Sequence, residues 1–310
     1  MKKLLLALAL VGFAIAVHAQ SWTNDYAQYG KLFVVKLDTA PFPHPARAQG
    51  HKYHADFYSA EKNYSDSSVG IFVPKGFRRT DKVDFVVHFH GWRHHVENTF
   101  GEYHLVPQFA DSKRNAILVV PQGPYDAPDS FDGKMDDTNG FKRFMEDVRA
   151  TLQTDGIVGT EPIGDIILSG HSGGYGAMSP ILAHGGMNDH IKEVFIFDAL
   201  YAGTENFMSW FDHYPHRRMI NIYTLHGGTK EETEKLIAAV KERKPPVSCI
   251  AGNEEKITSA DLKKYQLIFI FTKLEHDQTL FEHKSFQQFL ETSRLPSIRM
   301  AMSPKASHPQ

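Results

Sequence analysis

Asp165-Ile-Ile-Leu-Ser-Gly-His-Ser-Gly-Gly-Tyr-Gly176 decides how the rest of the chain is read. The apolar run 166–168 predicts a buried strand, and residues 177–183 predict a helix. Between them stands Gly170-His-Ser-Gly-Gly174, and strand, G-x-S-x-G, helix is the context in which that pentapeptide carries chemistry. A turn this tight leaves no room for a Cβ at its flanks, hence glycine at 170 and 174. It lifts the Ser172 hydroxyl above the sheet, beside a helix N-terminus, and aims the Gly173 N–H at any oxyanion formed there. Alone, the pentapeptide fits an idle serine in a glycine-rich turn equally well. The remaining residues have to decide.

Upstream, strands are predicted at 31–37, 69–73, 83–90 and 116–120, with a helix over 103–110. Phe141, Phe144, Met145, Val148 and Leu152 recur at helical spacing. Downstream, strands are predicted at 194–197, 219–225 and 267–271. Thr229-Lys-Glu-Glu232 reads as a capping box ahead of a helix carrying Leu236, Ile237 and Val240, and a closing helix covers 281–290. Alternating strands and helices, the later strands apolar on both faces, predict an α/β fold: a three-layer sandwich with a mostly parallel central sheet. The early strands lack intervening helices, so that end is expected to be antiparallel. One domain over 20–293 and a flexible tail over 294–310 are expected. Residues 38–68 fit no element.

The chain has 310 residues, 42 % of them hydrophobic and 12 % aromatic, enough for a sizeable core. Lys2 and Lys3, the apolar run 4–17 and Val17-His-Ala19 read as a signal peptide over 1–19, cleaved after Ala19. That predicts a secreted or periplasmic protein with no membrane span after cleavage. Losing two lysines leaves 32 of the 34 basic residues against 36 acidic ones, a net charge of −4. That is no nucleic-acid binder's footprint. The single cysteine, Cys249, excludes an intrachain disulfide and reads as a buried packing residue.

A serine hydroxyl needs a base, and the base needs an orienting group. In open α/β sheets such groups collect past the carboxyl ends of strands. His276 lies just past the last predicted strand, with His226 and His283 as rivals. Asp198 directly follows the run 194–197, where an unpaired carboxylate would be costly to bury; Glu231 is its rival. In His88-Phe-His-Gly-Trp92, Gly91 permits close backbone approach and the Trp92 N–H is the expected second oxyanion donor beside that of Gly173. His90, His171, Tyr125 and Phe131 are the candidates for substrate contact, with Lys134 in the same loop as the last two. Against this, His88, His90, His94 and His95 could be read as zinc ligands, since 88 and 90 share a strand face.

The ordered set resembles the α/β-hydrolase superfamily. His90-Gly91 matches its oxyanion loop, Gly170-His-Ser-Gly-Gly174 its nucleophile elbow, and Ser172, Asp198, His276 its chain order of triad members, over roughly residues 31–293. The resemblance implies hydrolysis through an acyl-enzyme, without metal or organic cofactor, on a small-molecule or polymer-derived acyl substrate. One departure stands out: in the superfamily the acid more often follows the next strand. A serine esterase is the expectation, with a peptidase or amidase on the same site, or a non-catalytic exported binding protein, as the alternatives.

Overall fold

Strands apolar on both faces have to be covered twice, and the chain supplies helices for both sides. A computed structural model describes residues 21–213 and 216–298, so the expected signal peptide lies outside the described residues. In chain order the elements are β1 (Gly30–Lys36), a hairpin of β2 (His51–Tyr53) and β3 (Asp56–Tyr58), α1 (Ala60–Asn63), β4 (Ser68–Pro74), β5 (Val83–Phe89), α2 (Val96–Glu102), α3 (Leu105–Asp111) and β6 (Ile117–Pro121). Then follow α4 (Gly140–Thr154), β7 (Ile163–His171), α5 (Tyr175–His184), β8 (Ile191–Phe197), α6 (Thr204–His213), β9 (Arg218–Tyr223) and α7 (Lys230–Lys241). The last are β10 (Cys249–Asn253), α8 (Ser259–Lys264), β11 (Leu267–Phe271) and α9 (Ser285–Glu291).

Nine strands form one sheet in the order β1-β4-β6-β5-β7-β8-β9-β11-β10. β1 and β4 are antiparallel, as is the β4–β6 pair, and every pairing from β6 to β10 is parallel. The expected antiparallel end and parallel body are both there. Strand order reverses between β5 and β7, and open α/β sheets bind ligands at such a switch point.

Period-two alternation divides the core. Val87, Leu168 and Ile196 face one layer, with Phe144, Met178, Phe207 and Trp210. Val86, Ile167 and Phe197 face the other, with Phe109, Phe286 and Phe289. Residues 38–68 and the loop after β6 build a small satellite instead. There Phe42, Tyr64 and Ala127 are buried with Phe131 against them, and Arg47 lies over the Phe131 ring while holding Asp129 with two hydrogen bonds.

The structure alters three expectations. Cys249 is half-buried on the edge strand β10, an element that its short, mixed sequence does not announce. The Thr229 side chain does not cap α7; its hydroxyl is used elsewhere, as described below. The first residues of the expected flexible tail are docked: the Arg294 N–H meets Glu193 at 2.7 Å, Leu295 is buried, and Ser297 bridges Arg114.

That Glu193 anchors one buried ion pair. Arg218 reaches it at 2.7 Å and also donates to the Leu262 carbonyl, with both side chains under 5 % exposed. Glu193→Ala strands a buried guanidinium, so a loss of about 3–5 kcal/mol is expected in denaturant unfolding.

Candidate active site

β7 runs into a 3₁₀ turn, Ser172–Gly174, and then α5. Ser172 is held at φ +51°, a conformation costly to a side-chain-bearing residue and persisting only where the surroundings dictate it. Packing supplies the constraint. A Cβ on Gly174 would lie 2.6 Å from the Phe89 carbonyl oxygen, so the turn presses against the end of β5. A Cβ on Gly91 would lie 2.7 Å from that of Ser172. The two glycine turns, after β5 and after β7, therefore touch at the serine.

Asp198 caps β8 and is also held at positive φ, +45°. It is 0 % exposed, and only donors surround it. His276 Nδ1 lies 2.7 Å from Oδ2, the Thr224 hydroxyl donates to the same oxygen at 2.7 Å, and the Thr224 N–H donates to Oδ1 at 3.2 Å. The Thr229 hydroxyl donates to Oδ1 as well, and its side chain makes no cap hydrogen bond to α7. Burial pushes this carboxyl up, but the hydrogen bonds from His276, Thr229 and Thr224 outweigh it and hold Asp198 below the usual carboxylate range. A Cβ on Gly227 would overlap the carboxylate itself. The loop after β9 thus cradles a carboxylate that comes from the end of β8.

The rivals stand elsewhere. Glu231 has an 81 % exposed side chain and pairs with Lys235 on α7. His226 is exposed, and His283 pairs with Glu254 at 3.0 Å.

Three of the substrate-contact candidates are engaged within the protein. His90 is 5 % exposed; its Nδ1 donates to the Gly91 carbonyl at 2.8 Å and its Nε2 accepts from the Gly123 N–H at 2.9 Å. It ties two loops together. Burial lowers its pKa to about 4, so it is neutral. His171 is 1 % exposed beneath His276, its ring centroid 4.6 Å from that ring. Phe131 packs into the satellite cluster, against Phe42 and His44. Tyr125 is half-buried and stacks on His95 at 4.9 Å. Lys134 donates to the Ala40 carbonyl at 3.1 Å, fastening residues 38–68 to the loop.

Trp92 is 38 % exposed, and its indole lies over Gly173 with Nε1 donating to Ser130 at 2.7 Å. Tyr53 of the hairpin meets it edge-on at 5.2 Å. On the other side stands Tyr201, a residue the sequence reading does not single out. Its hydroxyl donates to the Gly227 carbonyl at 2.5 Å. Burial and the Asp198 charge raise its pKa to about 12. Its place three residues past Asp198, in the same loop, was the available signal.

The histidines of the zinc reading do not converge. His88 bonds Ser169, His90 bonds Gly91 and Gly123, His94 bonds the Trp92 carbonyl, and His95 pairs with Asp126. Among the described residues, one triplet has ligand atoms close enough to share an ion: His171, His276 and Asp277. Both ring nitrogens of His171 already have protein partners.

No protein-family model matches the chain, and no curated protein sequence does. Solved structures do match in fold. A structure named FAE aligns at TM-score 0.51 with 11 % identity, covering 95 % of this chain and 97 % of that one. The feruloyl esterase module from Clostridium thermocellum complexed with sinapinate aligns at TM-score 0.50 with 12 % identity, covering 88 % and 95 %. The protein has the α/β-hydrolase fold, as its elbow and order of candidate residues lead one to expect. At this identity the likeness establishes fold alone.

Proposed function

We propose that the protein is an exported serine hydrolase acting on carboxylic esters, with Ser172 as nucleophile, His276 as general base and Asp198 as the orienting acid. The observation that carries the reading is the His276 Nδ1–Asp198 Oδ2 hydrogen bond of 2.7 Å around a fully buried carboxylate, next to a serine strained at φ +51°. With its Nδ1 proton committed to Asp198, His276 offers Nε2 as the lone pair that takes the serine proton.

As the Ser172 proton passes to His276 Nε2, the oxygen attacks the ester carbonyl. The tetrahedral oxyanion is received by the Gly173 and Trp92 N–H groups, brought together by the close approach of Gly91 to Ser172. His276 then returns the proton to the departing alcohol, and water repeats the sequence on the acyl-enzyme. That the structurally similar feruloyl esterase module acts on esters is consistent with this chemistry. Export rests on the leader-like residues 1–19.

A fluorophosphonate probe is expected to label the mature protein and to leave Ser172→Ala unlabelled. Labelling that survives the substitution sinks the assignment. Paired ester and anilide substrates with one acyl group then separate an esterase from an amidase.

A further inference from the structure

Two loops meet over the buried Asp198 carboxylate. The first, 198–201, leaves β8 and is set into the core by Ala199 and Leu200, both 0 % exposed. Its turn is closed by the Tyr201 N–H, which donates to the Ala199 carbonyl at 3.0 Å. The second, 224–229, leaves β9, and its tip stands in solvent: Leu225, His226 and Gly228 are exposed above a carboxylate that is not. A protruding loop with few buried contacts opens easily. To seal a buried charge it has to be fastened.

Tyr201 reaches across from the first loop to the second. Its hydroxyl donates to the Gly227 carbonyl, and its ring lies against Gly228, where a Cβ would stand 3.0 Å from Cε1. On its other side the Gly227 N–H donates to the Thr224 hydroxyl oxygen at 2.8 Å. The Thr224 hydroxyl gives its own hydrogen to Asp198 Oδ2 at 2.7 Å. Each of these links has one sense only, because a carbonyl and a carboxylate accept and a backbone N–H donates. Tyr201, Gly227, Thr224 and Asp198 therefore stand in one directed chain. It ends on the oxygen that faces His276 Nδ1 at 2.7 Å.

We infer that Tyr201 is a positioning residue: by fastening Gly227 it keeps the Thr224 hydroxyl on Asp198, and so fixes the carboxylate oxygen that orients His276. This role rests on the reading of Asp198 as the orienting acid of the proposed hydrolase. Without the Tyr201 hydroxyl the Gly227 carbonyl is left to solvent, the loop tip loosens, and the Gly227 N–H leaves Thr224. The Thr224 hydroxyl is then free to rotate off Oδ2. His276 faces an oxygen that is no longer held, and its ring is aimed at Ser172 for less of the time. The cost falls on the chemical step and not on substrate binding.

Hydrolysis of a p-nitrophenyl ester by the mature protein, Tyr201→Phe, Thr224→Val, Thr224→Ser and the double variant Tyr201→Phe/Thr224→Val reads this out. Phenylalanine leaves the ring where it packs against Tyr175 and Gly228. Tyr201→Phe should lower kcat about tenfold with KM unchanged, and Thr224→Val, which removes the donor itself, about thirtyfold. Thr224→Ser keeps the hydroxyl and should restore the rate. Because both residues act through one chain, the double variant should lose no more than Thr224→Val alone. A loss of about three-hundredfold, the product of the two, means independent effects and overturns the inference. So does an unchanged kcat in Tyr201→Phe, a rise in KM alone, or a serine variant as slow as the valine one. The proton resonance of His276 Nδ1–H, assigned by its loss in Asp198→Ala, gives a readout independent of turnover. Its exchange with solvent should quicken in Tyr201→Phe and in Thr224→Val, and an unchanged rate overturns the role of Tyr201. If the protein neither hydrolyses esters nor takes the fluorophosphonate, the hydrolase reading has failed, while the exchange rate still decides whether Tyr201 holds the Asp198–His276 pair.

Discussion

Ser172→Ala is expected to lower kcat for a p-nitrophenyl ester by about 10⁶-fold, with the protein still folded. The size follows from what the hydroxyl does. On the proposed mechanism no acyl-enzyme forms without it, and His276 and Asp198 have only water left to activate. Members of such a unit fail together rather than in proportion. At about 1.4 kcal/mol per tenfold, the loss is about 8 kcal/mol of transition-state stabilisation. What survives is the contribution of the oxyanion donors and of substrate binding, which do not pass through Ser172 Oγ. Stability should change little. Alanine meets the same backbone strain at φ +51° as serine does. Tyr201 keeps its bond to the Gly227 carbonyl. Thermal unfolding beside the rate assay separates the two effects. A variant retaining more than a thousandth of the original kcat, free of contaminating esterase, would remove Ser172 from the chemistry.

The strand-turn-helix at the serine was readable because three independent features coincide there: an apolar run, paired glycines and a helical stretch. The parallel body of the sheet was readable for a similar reason, since strands such as 194–197 are apolar on both faces. Less was visible where function and packing use the same residue types. Thr224 and Thr229 look like a strand end and a helix cap, and nothing local says that both aim their hydroxyls at a carboxylate from β8. The T-x-x-E pattern at 229–232 is real, but its threonine turns its hydroxyl to the Asp198 carboxylate in a charge-assisted hydrogen bond and accepts from none of the bare N–H groups of α7. His171 could have been placed better. It shares the parity of Ile167 along β7, and that face is covered by α3 and α9, so its burial was legible in the strand pattern. The region 38–68 stayed opaque because all but its last residue, Ser68 of β4, lies outside the main sheet and finds partners in a loop some 80 residues on, such as Asp129 for Arg47.

Asp198→Asn is expected to lower kcat by about 10⁴-fold, and the surrounding donors say by what route. The carboxylate accepts at both oxygens. Oδ1 receives the Thr224 N–H and the Thr229 hydroxyl, while Oδ2 receives the Thr224 hydroxyl and His276 Nδ1. An amide has one accepting end. A hydroxyl can rotate and become an acceptor, but the Thr224 N–H cannot, so the amide oxygen must take the Oδ1 position. The NH₂ group then points at His276. Its Nδ1 has to become an acceptor, the ring proton moves to Nε2, and the nitrogen needed to receive the serine proton is already occupied. The fold should survive, since the substitution is isosteric and no buried charge is left behind. Fluorophosphonate labelling of Ser172 should slow along with turnover, because both need the same proton transfer. Asp198→Ala gives the comparison: with no amide to impose the wrong tautomer, it loses orientation alone, and its kcat is expected to equal or exceed that of the asparagine variant. Turnover in Asp198→Asn within tenfold of the unmodified protein would mean that the tautomer of His276 is not set by Asp198. The 2.7 Å contact would then be structural.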